Sequence, residues 1–269
     1  MSTTTAPVNR PQIVRDSMTM LRRNLLHSWR YPGMSAWGIL QPVLFLVLFG
    51  VVFGEAFGAG VGTGGRSAYI TYITPAILAM TISIGSMMTA VSVASDMTEG
   101  VIARFRTMAI ARSSVLTGHV LGSLILNVIS LVLVLGFAFV IGYRADGGAA
   151  GVLGALGLLI VVAYALTWLG VALGLSSKTV EGASNVILPV MLLPFFGSGF
   201  VPVETMPSGI RWFAEYQPFT PIIETVRALL EGTGVDGSQL LLALGWTVLI
   251  GVGGYVWSRA LYRRDAVRR

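Results

Sequence analysis

The sequence contains no cysteine, only two histidines, and a single lysine at position 178. Without cysteine there is no disulfide framework, no thiolate metal site and no cysteine nucleophile. The histidines, His27 and His119, are too far apart in the chain to form a metal-ligand motif. Charged residues make up 11% of the chain, whereas a soluble domain carries about 25%. The composition therefore excludes an ordinary water-soluble enzyme.

Long apolar stretches dominate the sequence instead. Hydrophobic residues make up 54% of the 269 residues, and the mean hydropathy is +0.78. Crossing a bilayer takes about 20 mainly apolar residues in a helix. We predict six membrane spans, at about 34–53, 70–94, 116–141, 152–175, 185–203 and 240–257. The predicted fold is thus an all-α membrane protein whose fifth helix is interrupted by prolines and glycines.

The basic residues indicate how these spans are oriented. The net charge of +6 does not indicate nucleic-acid binding, because the basic residues lie in short segments between apolar runs. An even number of spans places both termini on one side. Fourteen of the 18 Lys and Arg residues then lie on that side. Because cytoplasmic segments carry the excess of Lys and Arg, both termini are predicted to be cytoplasmic.

Residues 1–33 form a basic arm before the first span. One face of a helix here would carry apolar residues at helical spacing, namely Val14, Met18, Leu21, Leu25 and Trp29. Such a basic amphipathic helix is typical of a segment that lies in the interface with membrane lipid. A solvated helix that packs on a soluble partner is the alternative. Residues 34–269 form the predicted six-span domain.

Catalytic and nucleotide-binding motifs are missing from the sequence. Neither H-E-x-x-H nor G-x-S-x-G occurs. Residues 174–179 resemble a phosphate loop, but Ser177 stands where the glycine before Lys178 is required. His119, at the start of the third span, is interpreted as a capping or interfacial residue. The sequence therefore predicts no catalytic residue and no cofactor in this chain, and any ATP hydrolysis needs another subunit.

The predicted cytoplasmic loop after the second span, residues 96–112, is both basic and amphipathic. Ile102 and Phe105 share a helical face, and Arg104 and Arg106 lie around it. An amphipathic helix here would suit docking on a soluble partner. A loop that contacts anionic lipid explains the same pattern equally well.

The segment between the fifth and sixth spans is too apolar for an exposed loop and too interrupted for a span. It contains a predicted helix with Thr220 as N-cap, Pro221 at the first helical position and Gly232 as the stop. Glu224 and Arg227, at i and i+3, can form an ion pair. We therefore predict re-entrant outer half-helices before the last span.

Small residues at i and i+4 predict close helix–helix contacts. Such pairs or triplets occur at glycines 50, 54 and 58, 118 and 122, and 170 and 174. They indicate packing and say nothing about a transported compound.

Taken together, these features resemble the permease subunits of type-2 ABC transporters, in particular the daunorubicin/doxorubicin-resistance branch. The resemblance covers nearly the whole chain. It is carried by Glu99-Gly100 and Arg104-x-Arg106 within 96–119, by residues 189–207, and by Gln217-Pro218 through Gly232. The family commonly has Asn-Pro where this chain has Gln217-Pro218.

The resemblance implies that this chain moves a hydrophobic or amphipathic compound outward across a bacterial inner membrane. ATP and Mg would bind a separate ATP-binding subunit, and a second permease, either another copy or a sister chain, would complete the complex. The resemblance implies that the residues contacting the ATPase are Glu99, Gly100, Ile102, Arg104, Phe105 and Arg106. It implies an outer segment marked by Pro207, Gln217, Pro218, Glu224 and Arg227.

Aromatic and methionine side chains on the first, second and fifth spans could form an adaptable apolar path for the compound. They are Phe45, Phe49, Met87, Met88, Met191, Phe195 and Phe196. For any one of them, facing lipid or packing between helices is the favoured alternative. An ATP-independent channel or secondary carrier is the main alternative function, although the spans are almost free of the ionisable groups that coupled carriers use. A membrane enzyme acting on lipid and a structural anchor are further alternatives.

Overall fold

The computed structural model describes residues 32–61, 65–99 and 112–267, with side chains described over 37–58, 65–99 and 117–262. All regular secondary structure in these residues is helical, as predicted. The α-helices are α1 (Pro32–Phe45), α2 (Gly54–Val61), α3 (Gly65–Thr98), α4 (Arg112–Val140), α5 (Gly148–Ser176), α6 (Val180–Leu192), α7 (Ser208–Tyr216), α8 (Phe219–Glu231) and α9 (Gly237–Val267). A π-helix (Leu46–Val52) joins α1 to α2, and short 3-10 helices cover Leu193–Phe196 and Val203–Thr205.

Four helices in the described part of the chain are long and apolar enough to cross a membrane. They are α3, α4, α5 and α9, which coincide with the predicted second, third, fourth and sixth spans. The predicted first and fifth spans correspond to shorter apolar helices, Trp37–Val52 and Val180–Phe196. The architecture is that of a multi-pass helical membrane protein, and the six-span topology stays a prediction. The predicted arm helix of residues 14–29 lies outside the described residues.

The predicted fifth span, 185–203, is interrupted as expected, and only its first part is a regular α-helix. The helix begins earlier, at Val180, where the Thr179 hydroxyl accepts a hydrogen bond of 3.0 Å from the Gly182 amide. It ends at Leu192, and after one 3-10 turn the chain from 197 to 202 is not helical. Pro194 lies in this 3-10 turn and cannot donate a backbone hydrogen bond, and Gly197 is extended. Residues 197–200 therefore form a buried turn and do not continue the helix.

The described bundle is built around α3. This helix packs against α1, α4, α5, α6 and α8, and every residue from 73 to 84 is buried. Along α3, Tyr72 is near the end that α8 contacts, and Asp96 is about 36 Å away at 1.5 Å rise per residue. We refer to these two ends of the bundle as the α7–α8 end and the Asp96 end.

Two glycines of α5 permit its closest contact with α3. A Cβ on Gly170 would lie 2.5 Å from the Ser86 carbonyl oxygen, and one on Gly174 would lie 2.6 Å from the Ala90 carbonyl oxygen. The Ser86 hydroxyl also donates a 2.6 Å hydrogen bond to the Leu166 carbonyl of α5. This small-residue pair is therefore a packing motif, as the spacing predicts.

Candidate functional site

The Asp96 end carries the described part of the predicted ATPase-contacting segment. Glu99 directly follows α3, is exposed, and accepts a 2.8 Å hydrogen bond from the Ser95 hydroxyl. The other five predicted residues, Gly100, Ile102, Arg104, Phe105 and Arg106, lie outside the described residues. Only the position of Glu99, at the end of α3, is therefore available from the structure.

Asp96 and His119 form a buried pair beside this segment. The Nε2 atom of His119 lies 2.9 Å from Oδ2 of Asp96, and the two side chains are 4% and 15% exposed. His119 does not cap its helix, because it lies seven residues after the start of α4 and its ring contacts Asp96 of α3. Its position near the membrane interface stays a prediction. Sequence reasoning missed the pair because the residues are 23 positions apart. The available signal was that both are ionisable residues flanking one loop.

At the α7–α8 end, a buried arginine connects three parts of the chain. Arg227 of α8 is 8% exposed, and its Nη1 donates to Oε1 of Glu224 at 2.5 Å, so the predicted ion pair is present. Its Nη2 donates to the carbonyl oxygens of Tyr72 at 3.1 Å and Ser198 at 3.0 Å. The guanidinium carbon also lies 4.0 Å from the centroid of the Tyr72 ring. Arg227 thus holds α8 against both α3 and the turn after α6.

Thr220 and Gln217 extend this network, in a way that corrects the predicted helix start. The helix begins at Phe219, so Thr220 is inside its first turn and is not the N-cap. The Thr220 hydroxyl donates to the Ala214 carbonyl at 2.5 Å and accepts from the Ser198 amide at 3.3 Å. The Gln217 side chain donates to Thr220 at 3.1 Å and accepts from the Phe219 amide at 3.1 Å. Gln217 therefore satisfies an amide at the start of α8, which is the role predicted for Thr220.

Two prolines and a glycine set the limits of the short helices. Pro207 directly precedes α7 and Pro218 directly precedes α8. Gly232 ends α8 in the left-handed region with φ +70°, which confirms the predicted stop.

Burial raises the pKa of Glu231, the last residue of α8, and Glu224 raises it further, while Arg227 opposes the shift.

At the α7–α8 end, four phenylalanine rings contact one another and form an aromatic row of Phe45, Phe49, Phe195 and Phe200. The rings of Phe45 and Phe195 are 5.7 Å apart, those of Phe49 and Phe200 are 5.1 Å apart, and Phe195 stacks on Phe200 at 4.6 Å. The structure therefore brings together Phe45, Phe49 and Phe195, three of the residues predicted to line the path of the transported compound. Phe200, which links them, was not among the predicted residues, although it lies within the predicted fifth span.

The other four residues predicted to line that path lie in different parts of the structure. Met191 packs against the main core, Met87 packs in a separate cluster between α3, α5 and α6, and Met88 is partly buried. Phe196 is 50% exposed. These four side chains do not extend the aromatic row.

A cavity of about 270 Å³ lies beside the aromatic row. It is lined by Ala56, Phe57, Tyr69, Phe200, Val201, Pro202 and Thr205. No charged side chain lines it, and the Thr205 hydroxyl already donates to the Pro202 carbonyl at 2.7 Å. Within the described residues, no group of His, Asp or Glu side chains could hold a metal ion. The mostly apolar walls of this cavity thus suit an apolar molecule.

A bundle of long apolar helices, with short helices packed on one end, is the architecture of a multi-pass helical membrane protein. The chain belongs to the ABC-2 type transporter family, whose family model matches residues 16–230. Members of this family are the membrane permease components of ABC transporters, and ATP is bound by a separate subunit.

Individual relatives agree with this membership. The chain is 29% identical over 225 residues to the daunorubicin resistance ABC transporter permease protein DrrB1 of Streptomyces coeruleorubidus, covering 80% of this chain and 77% of the relative. It is 27% identical over 250 residues to a Mycobacterium tuberculosis protein named "Probable doxorubicin resistance ABC transporter permease protein DrrC", covering 92% and 89%. It is also 23% identical over 195 residues to ABC transporter G family member 20 of Dictyostelium discoideum, covering 68% of this chain and 26% of that protein.

Proposed function

We propose that this chain is the permease subunit of an ATP-driven exporter that moves a hydrophobic or amphipathic compound, such as a drug, antibiotic or lipid, outward. ATP and Mg bind the separate ATPase subunit. The observation that carries the proposal is the similarity over most of the chain to permeases named for daunorubicin and doxorubicin resistance. The aromatic row and the neighbouring apolar cavity are chemically suited to such a compound.

The proposed topology has six spans, both termini in the cytoplasm and a bacterial inner membrane as the location. Residues 1–33 form the arm, and residues 34–269 form the permease domain. The α7–α8 end then faces outward. In support, α7 exposes Ile210, Trp212, Phe213 and Tyr216, and tryptophan and tyrosine are enriched where a membrane meets water. Two permeases, identical or sister chains, pair in the complex.

Docking of the ATPase is proposed at the Asp96 end, through Glu99 and the segment that follows it. ATP must interact differently with two permease arrangements for its energy to move the compound. The outer helices and the aromatic row lie at the opposite end, so the change must pass along the long helices. Phe45, Phe49 and Phe195, with Phe200, are proposed to line part of the path.

Glu99→Ala is expected to reduce transport several-fold while leaving the protein in the membrane, because it removes a carboxylate from the proposed ATPase contact. The measurement is export from inverted vesicles, normalised to permease content. Glu55→Ala is the matched control, since Glu55 is an exposed carboxylate on α2, at the opposite end. Normal export by the Glu99→Ala variant would contradict the assigned contact. Arg104→Ala tests the same contact from the segment itself.

Affinity purification of this chain from its native host in mild detergent tests the proposal as a whole. We expect an ATP-binding subunit at close to one copy per permease, and ATP hydrolysis by the purified sample. An oligomer of this chain alone, still without an ATPase after gentler extraction, would favour an ATP-independent channel or carrier.

A further inference from the structure

The Asp96–His119 pair lies at the base of the segment proposed to contact the ATPase. Asp96 is in the last turn of α3, and His119 is in α4, the helix that follows the segment. Their 2.9 Å contact therefore joins the two helices between which residues 100–111 run. Five of the six residues assigned to ATPase contact belong to that segment.

A small apolar cluster includes residues next to the pair in the chain and joins four long helices. The cluster contains buried residues of α3, α4, α5 and α9, namely Val93, Val120, Trp168, Val171, Leu175 and Tyr262. Val120 follows His119 in the chain, and Val93 is one helical turn before Asp96. Met97, next to Asp96, also packs on this cluster. Chain neighbours of both Asp96 and His119 thus belong to a cluster shared by four long helices.

Stability alone is a weak reason for a pair of this kind. Removing a carboxylate from water is costly, and its attraction to a partner often only balances that cost. Apolar side chains of similar size would pack in a membrane protein at least as well. A hydrogen-bonded pair does supply a directional contact, which fixes the relative position of two helices more sharply than apolar packing does.

We infer that Asp96 and His119 are a positioning pair that locks the two ends of the ATPase-contacting segment to the four-helix cluster, so that movement of the ATPase is passed to the α7–α8 end. This inference rests on the proposed function. With the pair intact, a push on the segment displaces α3 and α4 together. With the pair broken, the same force separates the ends of α3 and α4 and does not displace the two helices together.

The experiment uses the whole complex of permease and ATPase, reconstituted in lipid nanodiscs. Because the chain has no cysteine, Thr205→Cys introduces the only cysteine of the permease at the far end, where Thr205 is exposed beside the cavity. Labelling is measured on the permease band after its separation from the ATPase. The rate of labelling by a water-soluble maleimide is measured with and without ATP, Mg and vanadate. We expect ATP to change this rate by about fivefold or more, the lower end of typical coupling between two sites.

His119→Leu in this background is expected to reduce the ATP-dependent change to less than about twofold, while ATP hydrolysis stays within about twofold of the parent. The exchanged variant, Asp96→His with His119→Asp, is expected to restore the change because it rebuilds the pair. Arg211→Ala is the control, since it removes an exposed ion pair with Glu215 on α7.

A parental response in His119→Leu would overturn the inference. So would a loss that the exchanged variant does not restore, because the residues would then act separately and not as a pair. If His119→Leu does not assemble, Asp96→Asn takes its place: it keeps an acceptor oxygen, removes the charge and is expected to lower the response partially, and an unchanged response overturns the inference. Absence of any ATP response in the parent would overturn the proposed function, and the inference with it.

Discussion

Gly170→Leu is expected to force α3 and α5 apart and to lower the free energy of unfolding by about 2 kcal/mol or more, the usual cost of overpacking. A Cβ at position 170 would lie 2.5 Å from the Ser86 carbonyl oxygen and 3.0 Å from its hydroxyl. The first of these is a backbone atom of the buried central helix, so it cannot rotate away as a side chain would. Thermal unfolding in one detergent, followed by circular dichroism, measures the effect.

Gly157→Leu is the matched control for this substitution. Gly157 is on the same helix, is exposed, and has no atom within 4 Å of the position of a Cβ. It makes the same chemical change with the same loss of backbone freedom in the unfolded chain. Equal melting temperatures for the two variants would contradict the assigned close contact between α3 and α5.

Arg227→Met is expected to lower the free energy of unfolding by about 2 kcal/mol and to abolish export. Methionine fills a similar volume but cannot donate to the Tyr72 and Ser198 carbonyl oxygens, and leaving buried acceptors unsatisfied costs about 1–3 kcal/mol. The loss is limited in two ways: Ser198 keeps a 2.7 Å hydrogen bond from the Tyr72 hydroxyl, and the Glu224 side chain is 35% exposed. Detergent unfolding and vesicle export measure the two effects.

Arg227→Lys separates charge from geometry in this network. A lysine keeps the positive charge but lacks the planar fork that reaches Glu224 and two carbonyl groups at once. We expect export to stay well below that of the parent. Arg211→Met is the control, because Arg211 forms only an exposed ion pair within α7, and such pairs contribute about 0–1 kcal/mol. An Arg227→Met protein as stable as the Arg211→Met protein would contradict the bridging role.

Much of the helical framework was predictable from the sequence. The four long helices were located to within about five residues at most ends, except where α9 runs on to Val267, because each corresponds to an uninterrupted apolar run. Gly232 as a helix stop and the Glu224–Arg227 pair were also correct. These features depend on neighbours within one or two helical turns, which a single sequence displays directly.

Two segments depart from the simplest interpretation of the sequence, for different physical reasons. The apolar run up to residue 203 was interpreted as a span, although it contains a turn that covers the aromatic row. Thr220 has the side chain of a typical N-cap, yet its hydroxyl donates to the Ala214 carbonyl and accepts from the Ser198 amide. The turn is favoured locally by Pro194 and Gly197, as the expected interruption of the helix indicates. For Thr220, the contact with Ser198, 22 residues away in the chain, prevailed over a correct local preference.

The sequence by itself determined that the chain is helical and where its long apolar helices lie, because the backbone hydrogen bonds of a helix form between residues four apart in the chain. It also determined which family the chain belongs to. Tertiary structure alone decided that His119 meets Asp96, that Arg227 reaches Tyr72 and Ser198, and that Phe45, Phe49 and Phe195 gather around Phe200. Such meetings depend on how far each helix is rotated and shifted along its neighbour. Close contacts such as those at Gly170 and Gly174 set that register, and they exist only once the helices have packed.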